Sequence, residues 1–184
     1  TRNGKLVGMI TATDLANQQS ANSAYLAADL RKAKTVADLV EVSKRLPALH
    51  MRMAHASDNA KHIGEAVSCL TDSITARLLE MAEEKFGRPP VPYIWMAGGS
   101  VASHEHSSDS DQDNALLLYD DFKPEHDEFF ASLSRLVSDG LNLCGFEYCP
   151  GDAMATNPEW RQPLNVWKQY FTRWIESPTP MSMM

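Results

Sequence analysis

The change of hydrophobic period at Gly87-Arg88-Pro89-Pro90 constrains the fold more than any other feature of the chain. Before it, apolar residues recur at helical spacing: Val36, Leu39, Val40, Leu46, Leu49 and Met53, then Ile63, Val67, Leu70, Ile74, Leu78 and Met81. The second series advances by threes and fours, which lines one side of a helix with apolar groups. After it, Val91–Ala97 reads as a strand, with Pro92 at its start, where a missing N–H is tolerated. Asp111-Gln112-Asp113-Asn114 then leads into the unbroken apolar run Ala115–Tyr119, the pattern of a central strand buried on both faces. The order predicts an α+β fold, a helical hairpin over residues 36–88 followed by a small sheet flanked by helices.

Local signals fill in the rest. Asn3-Gly4 places a turn before a short apolar strand ending at Ile10, and Thr11 or Thr13 offers a cap to a helix that starts near Asp14 and runs to Leu26 or Leu30. Within the hairpin, Pro47 is expected to kink the first helix, and Ser57-Asp58-Asn59 supplies the turn. Helical spacing returns at Phe129, Leu133, Leu136 and Val137, with Gly140 fraying or ending that helix. Cys144–Gly151 reads as a loop or short strand, and a last helix from about Gln162 carries Leu164, Trp167, Tyr170, Phe171 and Trp174 on one side. Residues 181–184 form a tail expected to be disordered.

Charge and cysteine content exclude several function classes. With 17 basic and 24 acidic residues the net charge is −7, which argues against bulk nucleic-acid binding by counterion release. No apolar run approaches the ~20 residues that span a bilayer, so no membrane partner is expected. Cys69, Cys144 and Cys149 are an odd number of thiols with no secretory signal, which fits a reducing, cytoplasmic setting. The Cys144–Cys149 spacing is unlike a zinc pair, and buried or unreactive thiols are the expectation.

The acidic residues are concentrated where the chemistry would be. Between Arg88 and Lys123 there is no Lys or Arg, yet Glu105, Asp109, Asp111, Asp113, Asp120 and Asp121 fall there. In an extended segment Asp109, Asp111 and Asp113 point to one side, about 7 Å apart along the chain, and like charges that close call for a cation. Carboxylates on a rigid strand suit Mg²⁺, with waters and substrate phosphates completing its shell, and two such ions serve phosphoryl or nucleotidyl transfer. Gly98-Gly99-Ser100, after the preceding strand, lets backbone N–H groups approach a phosphate. Taken singly, the Asp-x-Asp also fits a solvated turn and the Gly-Gly-Ser a plain turn.

Residues 89–176 resemble the nucleotidyltransferase domain found downstream of cyclic-nucleotide-binding and CBS domains in bacterial signalling proteins. That family is similar to the N-terminal part of protein-PII uridylyltransferase and belongs to the superfamily related to DNA polymerase beta. The resemblance is carried by Pro89–Tyr93, Gly99-Ser100, Glu105, Asp111–Ala115, Cys149-Pro150-Gly151, Met154-Ala155, Asn157-Pro158, Trp160-Arg161 and the Trp167–Trp174 helix. Residues 36–88 resemble the helical segment before that domain, and residues 1–30, through Gly8–Leu15, resemble the last strand and helix of a CBS domain.

The resemblance implies a small mixed-sheet nucleotidyltransferase fold over residues 89–178. In it Asp111 and Asp113 hold Mg²⁺ at a two-metal site, and Gly99 and Ser100 hold the terminal phosphates of a nucleoside triphosphate. It also implies a hydroxyl acceptor, and leaves open both a protein tyrosine as that acceptor, as in PII uridylylation, and a homodimer. Two departures stand out. Ala102, Ser103 and His106 replace the family's usual Gly, Arg and Gln, which removes an arginine able to neutralise a triphosphate. The third carboxylate, expected beyond the Trp167–Trp174 helix, has no counterpart in the sequence, so the chain reads as a piece of a longer protein, inactive alone. The other reading of the same departures is a degenerate domain kept for regulation or partner docking. His104-Glu105-His106 reads as a surface loop, since i and i+2 do not share a helix face. Trp160, Trp167 and Trp174, seven apart, read as packing, and Thr11 and Asp14 match CBS nucleotide positions but serve here as cap residues.

Overall fold

The computed structural model describes residues 23–56, 59–103 and 111–177, with Met9 and Thr11. The expected strand before Ile10, Thr13, Asp14, Ser57, Asp58, the 104–106 segment, Asp109 and the 181–184 tail lie outside the described residues. Among the described residues four helices precede the sheet: α1 (Ser23–Lys32), α2 (Val36–Ser43), α3 (Leu46–Ala56) and the long α4 (Ala60–Phe86). The helix expected to bend at Pro47 is instead divided at Lys44-Arg45, and Pro47 sits second in α3. There its missing N–H is one of the donors that no helix start can pair, so the proline opens a helix rather than kinking one. Asn59 caps α4 by accepting from the His62 amide at 3.3 Å, and Gly87, with φ of +92°, closes it.

The α+β expectation holds. β1 (Tyr93–Ala97) pairs antiparallel with β2 (Asn114–Leu118), and β2 pairs parallel with β3 (Arg161–Pro163), giving a mixed three-stranded sheet in the order β1-β2-β3. The register sets Ala97 opposite Asn114 and Leu116 beside Arg161. A single turn of helix, α5 (Gly99–Ala102), follows β1; α6 (Asp127–Leu143) follows β2; and α7 (Leu164–Glu176) follows β3.

One hydrophobic cluster runs from Leu26 and Leu30 in α1 through Leu70, Ile74 and Leu78 in α4 to Leu116 and Leu118 in β2 and Phe130, Leu133 and Val137 in α6. Gly140 does not end α6: a Cβ there would overlap the Leu78 side chain, so the glycine lets α6 approach α4. The buried stripe of α6 also includes Ser134 and Ser138, which a search for apolar residues alone passes over. β3 was not expected at all; the helix assigned from Gln162 begins at Leu164. The Trp167 indole N–H donates to the Leu116 carbonyl at 3.0 Å, and Asp120 accepts from the Asn165 amide at 2.8 Å, so the middle of β2 and the turn after it hold α7 in place.

Candidate functional site

Asp111-Gln112-Asp113-Asn114 is extended, so its side chains alternate between two environments. Gln112 and Asn114 point inward and are 4% and 7% exposed. The Gln112 amide donates to the Ser138 and Phe146 carbonyls at 3.0 and 2.9 Å, and Asn114 accepts from the Ala155 amide at 2.8 Å. A buried amide that leaves these groups unpaired would cost about 1–3 kcal/mol each, so the inward pair fixes the register of the segment. Asp111 and Asp113 are thereby turned outward and half-buried, and all four residues line a cleft of about 220 Å³ whose other walls include Trp95, Leu79, Thr75, Val101 and Asp72.

The glycine loop serves this pair of acids directly. The Gly98 amide donates to the Asp113 carbonyl at 2.8 Å, and Gly99 has φ of +52°. A Cβ at Gly99 would overlap the Asp113 carboxylate, so only glycine leaves that carboxylate its place. Gly99 and Ser100 are not among the residues lining the cleft; Gly99 is tied to it through Asp113.

A third donor enters from sequence that carried no metal signal. The Gln112 amide bonds the Glu147 carbonyl at 2.8 Å, and the Asn114 amide bonds the Ala153 carbonyl at 3.0 Å. The chain between Glu147 and Ala153 must therefore arch past Asp113, and Cys149 lies on that arch. One ligand atom each from Asp111, Asp113 and Cys149 lie within 4.8 Å of one another. Burial raises the Cys149 thiol above its ordinary pKa; the Ala153 and Gly151 amides oppose that, while the Asp113 carboxylate, which takes its hydrogen bond, adds to it. Cys144, by contrast, is buried in the core, as expected of an unreactive thiol.

Sequence reasoning passed over Cys149 because it looked for cysteine pairs. Asp72, on the polar side of α4, gave no signal either, since its place on the cleft wall depends on how α4 packs against the sheet.

No ion pair with Asp111 or Asp113 forms among the described residues. The nearest strand with a positive charge is β3, where Arg161 is fully engaged: it pairs with Asp127 at 2.9 Å and donates to the Ala155 and Thr156 carbonyls at 2.7 and 3.1 Å. β3 itself, Arg161-Gln162-Pro163, contributes no carboxylate to the site. Two carboxylates without a cationic partner, with a sulfur beside them, form a donor set that fits a divalent metal. No helix among the described residues is long and apolar enough to cross a membrane.

The family model described as "Putative nucleotidyltransferase DUF294" matches residues 44–181. That span takes in α4, the whole sheet and all the residues named above. No curated protein and no solved structure matches the chain.

Proposed function

The chain belongs to the DUF294 nucleotidyltransferase family, whose chemistry is nucleotidyl transfer, and from that premise we propose that Asp111 and Asp113 hold a divalent cation that seats a nucleoside triphosphate in the cleft. One observation carries the proposal: the Asp-Gln-Asp-Asn segment spends its two amides on anchoring and leaves its two carboxylates outward and unpaired by any base among the described residues. Mg²⁺ is the ion that two carboxylates with phosphate oxygens ordinarily hold, and when bound it stabilises charge on the oxygens of the transferring phosphoryl group.

The remaining work falls to the chain's own residues. Gly99 keeps the Asp113 carboxylate in position, and Gly99 and Ser100 offer backbone amides to the terminal phosphates. Trp95, Leu79 and Phe146 give the cleft apolar walls against which a base can lie. The hydroxyl acceptor, a protein tyrosine as in PII uridylylation, the division into a CBS end at 1–30, a hairpin at 36–88 and a transferase domain at 89–178, and a cytoplasmic location belong to the same reading. The support for the acceptor and the domain division is the resemblance of the residues quoted above, and that for the location is the odd number of thiols with no secretory signal.

The test is binding of a labelled nucleoside triphosphate, with Mg²⁺ or Mn²⁺ and with EDTA, read beside transfer of its α-phosphate label to protein. The proposal expects cation-dependent binding that Asp111→Asn with Asp113→Asn abolishes; binding unchanged in the double variant would overturn it. A second reading is favoured by Ala102 and Ser103 in the places of the family's glycine and arginine. Under it, the domain binds a nucleotide for regulation or docking and does not transfer it. Metal-dependent nucleotide binding without any incorporation is the result that reading expects.

A further inference from the structure

Cys149 is not placed beside Asp113 by chance of a loose loop. Residues on both sides of Asp113 are hydrogen-bonded to residues on both sides of Cys149: Gln112 to Glu147, and Asn114 to Ala153. Gln112 also bridges in parallel to Tyr148, and the Tyr148 hydroxyl donates to Asp139 at 2.9 Å, which ties the start of the arch to α6. The arch then turns at once, with the Asp152 amide donating to the Cys149 carbonyl at 3.0 Å. The backbone that carries Cys149 is thus held against the carboxylate pair, and its Sγ lies within 4.8 Å of a carboxylate oxygen of each aspartate.

We infer that Cys149 is a third protein ligand to the cation held by Asp111 and Asp113, and that the site therefore takes a thiophilic divalent ion, of the Zn²⁺, Co²⁺ or Cd²⁺ kind, ahead of Mg²⁺. Donors bound about 2.0–2.3 Å from one ion stand roughly 3–4 Å apart, so the three ligand atoms, within 4.8 Å, reach that arrangement by small side-chain rotations. Binding converts the Cys149 S–H to a metal-bound thiolate and releases its proton to solvent. Mg²⁺ prefers oxygen donors and keeps its waters, so sulfur adds little to its affinity; for a softer ion, sulfur adds most. Cys144 is buried in the core and Cys69 lies on α4, so neither belongs to the set.

The inference rests on the reading of Asp111 and Asp113 as a cation site, and its test separates the two. Co²⁺ titrated into the full chain is expected to raise the near-ultraviolet charge-transfer band of a cobalt thiolate. That band should survive Cys69→Ser and vanish in Cys149→Ser, whose Co²⁺ affinity should fall at least about tenfold, the cost even of losing an outer-shell partner. In the unaltered chain, Zn²⁺ should slow alkylation of Cys149 by iodoacetamide, read by mass spectrometry, and leave Cys69 unaffected; this second measurement needs no variant to fold. No band, a band that persists in Cys149→Ser, or equal alkylation with and without Zn²⁺ overturns the inference. If Mg²⁺-dependent nucleotide binding nevertheless persists, the carboxylate site stands and only the sulfur ligand fails. If the band forms but no nucleotide binds, the metal site stands and the transferase reading fails.

Discussion

Two carboxylate sites flank the same small sheet and are treated in opposite ways. At one, Asp127 meets the buried Arg161 in a two-pronged pair, and the guanidinium's other donors go to the Ala155 and Thr156 carbonyls. At the other, Asp111 and Asp113 stand side by side without a basic partner among the described residues, and a glycine is kept in a positive-φ conformation so that one of them fits. The first site satisfies its charge from within the chain and so serves stability. The second leaves its charge to be satisfied from outside, which is the arrangement expected of a binding site.

Removing the internal partner should have the largest effect on stability. Arg161→Ala takes the two-pronged Asp127 ion pair from the seam between β3 and α6, and two more hydrogen bonds to the Ala155 and Thr156 carbonyls, and should cost about 3 kcal/mol in chemical denaturation. Arg161→Lys should recover less than half of that, because an ammonium cannot reproduce the planar two-pronged contact.

The outward acids should show the reverse. In EDTA, Asp113→Asn should melt at or above the unaltered protein, gaining up to about 1 kcal/mol from relieved repulsion. A divalent cation at about a hundred times its Kd should then add about 2.7 kcal/mol to the unaltered chain and almost nothing to the variant. If Asp113→Asn melts lower in EDTA and the cation stabilises both proteins alike, the contrast between the two sites is broken.

A smaller effect sharpens the role of the loop. Gly99→Ala should cost about 1–2 kcal/mol through its positive φ and should also weaken cation binding, since the new methyl group displaces the Asp113 carboxylate. Calorimetric titration with Mn²⁺ reads the second effect separately from the first.

The smallest effect concerns a third kind of carboxylate, one satisfied by backbone amides. Asp38 accepts from the Thr35 and Lys34 amides at 2.9 and 3.0 Å in the capping box of α2, and these bonds hold its pKa below the ordinary value. A depressed folded-state pKa gives stability that is present above the unfolded value and lost as pH falls through the folded one. Asp38→Asn should therefore lower the melting temperature at neutral pH and converge with the unaltered protein in acid.

What the sequence made legible was set by local pattern. The stripe from Ile63 to Met81 and the runs Val91–Ala97 and Ala115–Tyr119 placed α4, β1 and β2, because burial on one side or both leaves a period in the sequence. β3 left none: it is three residues long, two of them polar, and is a strand only because β2 pairs with it and its own Arg161 is buried. Pro47 and Gly140 were read as a kink and a stop, since their effects depend on where a helix begins and how closely another approaches. The carboxylate pair was visible as Asp-x-Asp, and the glycines as a turn. That Gly99 serves Asp113 follows from a pairing about 15 residues apart, and that Cys149 arrives beside it follows from pairings about 35 to 40 residues apart, which no local pattern encodes.

The most direct measurement of the central claim is calorimetric titration of ATP, UTP and GTP into the chain, with Mg²⁺ and with EDTA, beside Asp111→Asn with Asp113→Asn. Binding of at least one nucleotide that requires the cation and is lost in the double variant is the predicted result. Binding that is equal in EDTA, or unchanged in the double variant, would contradict the assignment of the two aspartates.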